Sequence, residues 1–210
     1  MHLIRYIGAQ ISTFFPELFP EQELTAALSA AVPAAHEHAV FCLGYHRAFR
    51  GIAAVDPLHS RQYATLLYFL GRELHAASPR VSQGAAYLNK VLHGVDLYGH
   101  INLPRVFVMG HTSGIVLGDA TYGENLVFFH GVTVGRYRDQ RPCIGKNVVL
   151  FSDVQILGRA RIGDGTVISA GTRVVNEEIP DNVLVLQGRD NKLIFKEKKE
   201  EYISEFLHLQ

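Results

Sequence analysis

The sequence predicts an α+β architecture, a helical N-terminal half followed by a parallel β-helix. Three observations carry that expectation. Residues 21–95 place apolar side chains at helical spacing. Beyond Gly110 the spacing changes to six, at Val116, Tyr122, Phe128 and Val134 and again at Ile144, Leu150, Ile156, Ile162, Ile168 and Val174. Small or β-branched residues recur four positions later, at Ala120, Val132, Val148, Val154, Ala160, Thr166 and Thr172 among others.

In the helical half, EQELTAALSAA opens with Glu21 and Glu23, which suit a helix N-terminus, and Pro33 is expected to end it. A second helix is expected from Ala35 to Gly51. A third opens at Asp56 as N-cap with Pro57 at the first helical position. A fourth is capped by Ser82 and stopped by Gly94. A step of six fits neither a helix nor a simple alternating strand. It does fit a coil in which each unit contributes one short strand and one turn, with the apolar residue pointing inward. Gly123, Gly135, Gly145 and Gly163 directly follow the inward positions, where the chain must bend. One longer segment, GRYRDQRPC, interrupts the register. The expected organisation is a helical domain over 1–95, a β-helix over 96–188 and a tail over 189–210. FKEKKEEYISEFLHLQ in that tail reads as an amphipathic helix.

Composition narrows the function classes. Lys plus Arg and Asp plus Glu number 20 each, so no net charge points to nucleic acid or an anionic membrane surface. No apolar run approaches the roughly 20 residues of a membrane-spanning helix, and the N-terminus lacks a signal peptide's uninterrupted apolar core. Cys42 and Cys143 form no metal-type spacing. A cytoplasmic protein without nucleic-acid or membrane partners is expected.

GHTSGIVLGDATYGEN, FHGVTVG, the loop ending RPCIG, and ILGRARIGDGTVISAGTRVV together resemble serine acetyltransferases, within the left-handed β-helix hexapeptide-repeat acyltransferases. DPLHSRQYATLLYFLG and LNKVLHGVD extend the resemblance upstream, so it covers about residues 50–180, with some ten residues missing around 77–82. It implies a left-handed coil, acetyl-CoA as co-substrate lying between neighbouring subunits, and a homotrimer that the N-terminal helices could pair into a dimer of trimers. No metal is expected.

The resemblance also implies roles for single residues. His111, in GHTSG, matches the catalytic histidine; a hydroxyl attacking a thioester needs a base near neutral pH, and imidazole is one. Asp96 matches the carboxylate that orients it. Asp56 matches an aspartate that contacts the acceptor. His130 falls where the family carries histidine or glutamine. Gly135, Arg136, Ser152, Gly158, Ala170 and Gly171 are candidates for CoA, the small residues letting a pantetheine arm approach the backbone. Two positions depart from the pattern. Gly110 stands where an aspartate precedes the histidine, and Arg141 replaces a second histidine with a fixed cation. VLVLQGRDNKLIF also stands where the family has a glycine-proline-alanine signature.

The expected activity is therefore transfer of an acetyl group to the hydroxyl of a small amino acid-like acceptor, serine or a variant of it. A sugar or other hydroxy or amino metabolite is the alternative acceptor. A non-catalytic scaffold is the alternative class. Serine acetyltransferases dock sulfhydrylases through a terminal isoleucine, whereas this tail ends in Leu209 and Gln210.

Overall fold

A computed structural model describes residues 2–208. Met1, Leu209 and Gln210, and with them the comparison of the tail end, lie outside the described residues. Four helices come first: α1 (His2–Phe14), α2 (Glu21–Gly44), α3 (Ser60–Leu74) and α4 (Pro79–His93). The boundaries differ from expectation in instructive ways. Helix α2 runs straight through Pro33, which lies on its exposed side, while Leu24, Leu28, Ala31, Val32, Ala35, Ala39, Cys42 and Leu43 form one buried stripe. Burying that stripe outweighs the roughly 3 kcal/mol that an internal proline costs. By length and hydropathy α2 would also pass for a membrane span; here its apolar stripe packs into the protein core. Asp56 does not cap α3. Its Oδ1 accepts the Leu58 N–H (2.9 Å), closing a turn four residues before the helix begins at Ser60. Ser82 is inside α4, whose N-terminus is set by Ser78 and Pro79, and its hydroxyl donates to the Gly71 carbonyl (2.6 Å). Gly94 stops α4 in the left-handed conformation as expected (φ 68°).

Fourteen short strands follow as a left-handed parallel β-helix, and a fifteenth closes it. Strand β1 (Val95–Asp96) leads in. The first coil comprises β2 (Phe107–Gly110), β3 (Ile115–Leu117) and β4 (Thr121–Tyr122), and the second β5 (Leu126–Phe129), β6 (Thr133–Gly135) and β7 (Cys143–Ile144). The third is β8 (Val149–Leu150), β9 (Gln155–Leu157) and β10 (Arg161–Ile162). The fourth is β11 (Val167–Ile168), β12 (Arg173–Val175) and β13 (Glu178–Ile179). Strand β14 (Val183–Gln187) starts a fifth coil and turns back antiparallel into β15 (Leu193–Glu197). Three faces result. The first stacks β2, β5, β8, β11 and β14; the second β1, β3, β6, β9 and β12; the third β4, β7, β10 and β13.

The step of six is visible as three interior columns: Met109, Phe128, Leu150, Ile168 and Val185; Leu117, Val134, Ile156 and Val174; Tyr122, Ile144, Ile162 and Ile179. All are buried. Val116, expected inside, faces out at 39% exposure, and Leu117 takes its place. The step between Leu117 and Tyr122 is five residues, as it is between Val174 and Ile179, because those two corners are one residue shorter.

The first face is apolar outside as well as inside. Val108, Val127, Val149, Val167 and Leu184 form its outer column, and the C-terminal segment covers them with Tyr202, Ile203, Phe206 and Leu207. The tail is thus part strand, β15, and part helix, with α5 (Ile203–Phe206) a single turn. Its period follows the ladder it joins and the stripe it covers, rather than one long helix. It then returns to the helical half, where the His208 N–H donates to the Tyr45 carbonyl (2.8 Å).

Strand β2 is the lower edge of the first face. Helix α2 and the residues just after it cover that edge: His46 Nε2 donates to the Phe107 carbonyl (2.7 Å), and Cys42 Sγ lies 3.3 Å from the same oxygen. A carbonyl can only accept, so the His46 proton is on Nε2 and Nδ1 is left buried without a partner. Burial holds the His46 pKa down at about 4 and pushes the Cys42 thiol up to about 12. A histidine with a depressed native pKa is neutral when folded and takes up a proton on unfolding. Its contribution is therefore complete above about pH 6.5 and is lost as pH falls toward 4, up to about 3 kcal/mol. Urea midpoints measured from pH 7 to 4 should fall more steeply for the native protein than for His46→Gln, which keeps the donor but does not titrate. Superimposable profiles would remove His46 as the cause.

Candidate active site

The corner between the first and second faces carries the site. In the second coil, Phe129 to Thr133 spans this corner; in the first, the equivalent register points are Gly110 and Val116. The first coil therefore spends two more residues there, and His111 stands on the resulting protrusion. It is exposed, with φ of 58°, a left-handed conformation uncommon for a non-glycine residue and a recurrent feature of functional sites. His130 occupies the same corner one coil on, its ring edge-on to His111 at 5.8 Å between centroids. Ser152 follows on the third coil, its Oγ 3.4 Å from His130 Nδ1, and exposed Ala170 and Gly171 on the fourth. Gly171 has φ of 71° and open space where a side chain would be. The corner thus presents a continuous column: two imidazoles, a hydroxyl, then bare backbone.

Other candidates sit elsewhere. Asp96, on β1, pairs with Val116 in the ladder and so borders the first coil, but its carboxylate is held by Lys90 Nζ at 2.6 Å and makes no hydrogen bond to His111. That ion pair raises the Lys90 pKa, through the hydrogen bond first and the charge second. Gly135, Arg136, Arg141 and Gly158 lie at or beside the next corner, between the second and third faces. The interrupting segment there is a small hairpin closed by reciprocal backbone bonds between Tyr137 and Gln140, with Arg138 at its tip (φ 55°). Arg141 Nε meets Asp119 Oδ2 at 3.1 Å. Asp56 is exposed on its turn before α3, next to Leu58 at 90% exposure. Among the described residues, neither Asp56 nor Arg141 shares a hydrogen bond or ion pair with His111. Among the described residues no group of three His, Cys, Asp or Glu side chains is placed to hold a metal ion.

Gly110 has a structural explanation. A Cβ there would fall 2.5 Å from Cδ1 of Phe129, whose ring covers this stretch of backbone. Phe129 stacks on Phe151 (5.4 Å) and meets Phe206 edge-on (5.4 Å), while its centroid lies 6.4 Å from His111. Phe129 and Phe151, like Lys90, are not singled out by the sequence reading, whereas Phe206 lies on the apolar side expected of the tail, which packs on the coil. Phe129 and Phe151 did carry a signal, since each directly follows an inward residue in register, Phe128 and Leu150.

No family model matches the chain. Serine acetyltransferase 4 of Arabidopsis thaliana is 30% identical over 160 residues, 73% of this chain and 42% of that protein. The chain spans about half the length of the curated relatives it matches. The crystal structure of a Vibrio cholerae serine acetyltransferase superposes with a TM-score of 0.74 at 17% identity, covering 96% of this chain and 81% of the other. The chain is a serine acetyltransferase-like member of the left-handed β-helix hexapeptide-repeat family. A further serine acetyltransferase, solved in complex with CoA, superposes with a TM-score of 0.69 at 19% identity over 90% of this chain and 83% of that one. Likeness at these identities establishes the shared fold. The residues of this chain must carry the argument about chemistry.

Proposed function

We propose that this protein is an acetyl-CoA-dependent O-acetyltransferase acting on the hydroxyl of a small amino acid-like acceptor, serine or a variant of it. The observation that carries the reading is His111, held exposed in a left-handed conformation on a two-residue protrusion of the first coil. Imidazole at that place can take the acceptor's hydroxyl proton as the oxygen attacks the thioester carbonyl. The tetrahedral oxyanion then collapses, the C–S bond breaks, and the imidazolium returns the proton to the departing CoA sulfur. Transfer is direct, with no acyl-enzyme. His130, held by Ser152, packs the proposed base from the coil above.

Asp96 would orient the imidazole once its carboxylate exchanges Lys90 for His111. The CoA arm is proposed to run over the second face, bordered by Ser152, Ala170 and Gly171 on one corner and Gly135, Arg136 and Gly158 on the other. The CoA complex of a structurally similar serine acetyltransferase supports this co-substrate. A homotrimer would set the Arg141 hairpin of one copy against the first corner of the next, and Asp56 and Arg141 would then meet the acceptor. Two free cysteines, one of them buried, suit a reducing cytoplasm.

A thiol-release assay with acetyl-CoA tests the proposal against serine, homoserine, other hydroxy amino acids and amino sugars. Turnover of a hydroxy amino acid at roughly 1 s⁻¹ or faster, the range of ordinary enzymes, is the expected result. Turnover confined to amino sugars would move the acceptor to another class. No thiol release with any acceptor would overturn the enzymatic reading.

A further inference from the structure

The aromatic cluster beside His111 says something about the acceptor, given the acetyltransferase reading on which this inference rests. Phe129, Phe151, Tyr202 and Phe206 pack edge-to-face and stacked, with centroid separations of 5.4–6.4 Å. All four are half-buried, so the cluster is a wall with one side still open. It lies on the first-face side of the histidine column. The small and polar residues proposed for CoA border the second face, on the other side of that column. A hydroxyl that approaches the His111 imidazole from the first-face side, within the usual 2.6–3.2 Å, carries its carbon toward Phe129, whose ring centroid lies 6.4 Å from that of His111.

Gly110 belongs to the same wall: a Cβ there would fall 2.5 Å from Cδ1 of Phe129, so the bare backbone and the ring are packed as one surface. A substituent on the acceptor's carbinol carbon that turns toward the first face meets aromatic carbon, which takes an apolar group out of water.

We infer that Phe129, Phe151 and Phe206 form the acceptor-side wall and select a hydroxy amino acid bearing an apolar substituent on its carbinol carbon, in preference to serine. The C-terminal segment, which contributes Phe206, is then a specificity element as well as a cover for the first face. Because it is anchored by Ile203 and Leu207, both buried, it presents Phe206 without rearrangement.

The test compares serine, threonine and 3-phenylserine by thiol release with the native protein, Phe206→Ala and the conservative Phe129→Leu. The native protein should prefer 3-phenylserine to serine by roughly tenfold or more in kcat/KM, with threonine between, as apolar burial of about four-fold per methylene predicts. That ratio should shrink about tenfold in Phe206→Ala and several-fold in Phe129→Leu, with the change falling on the acceptor's KM. A native protein that prefers serine overturns the inference and leaves the acetyltransferase reading standing. So does an unchanged ratio in both variants. A rise in the KM for acetyl-CoA at constant acceptor ratio also overturns it and gives the wall to the pantetheine arm. No release with any of the three, nor with the wider acceptor panel, overturns both.

Discussion

Replacing His111 by asparagine should lower kcat by about 10²–10⁴ while the KM for acetyl-CoA changes by less than about twofold. Asparagine is the informative choice because of the backbone. At φ of 58° a residue with an ordinary side chain is strained by about 1–2 kcal/mol, whereas asparagine tolerates that conformation. His111→Asn therefore removes the base and keeps the protrusion. His111→Ala removes the base but keeps a Cβ in the same strained conformation, so it should lose the same activity without the backbone relief that asparagine brings. If His111→Asn keeps most of its activity, the proton goes elsewhere, and His130, 5.8 Å away between ring centroids, becomes the first residue to test.

His111 was legible from its motif, GHTSG, while the protrusion that holds it and the residues around it were not. A period of six survives in sequence because every inward side chain must fill the same narrow coil, so Tyr122, Phe128 and Val134 announce their positions. Corner length leaves no such trace. The corner after Leu117 is one residue short, which moves Val116 outward and puts Leu117 in its place. The two extra residues around His111 appear only when the ladder register is known. Helix ends failed for a related reason. Asp56-Pro57 and Pro33 carry strong local preferences, yet the buried stripe of α2 was decided by packing partners far away in sequence, and the Asp56 carboxylate closes a local turn on the Leu58 N–H instead of capping α3. Gly110 is the sharpest case. Its neighbour Phe129 is nineteen positions on, and only the stacking of one coil on the next makes the two a single choice.

Phe128 and Phe129 are adjacent and point to opposite sides of the same strand, so they separate the coil's stability from its chemistry. Phe128 is fully buried between Met109 and Leu150 in the interior column and stacks on Phe107 at 6.0 Å between centroids. Phe128→Ala would leave a cavity that the neighbouring coils cannot close, because their spacing is fixed by backbone hydrogen bonds above and below. The expected cost is about 3–5 kcal/mol in a urea unfolding experiment, against a total that for ordinary domains is about 5–15 kcal/mol. Phe128→Leu refills part of that space and should cost less than half as much. Phe129→Leu keeps an apolar contact with Phe151 and Phe206 on the outside and should leave the interior column intact; its expected effect is on acceptor choice. The unfolding measurements are to be made at one protein concentration, since assembly would add its own stability to all the variants alike. Should Phe128→Ala cost under about 1 kcal/mol while Phe129→Leu unfolds the protein, the strand would be facing the other way, and both the interior column and the aromatic wall would have to be redrawn.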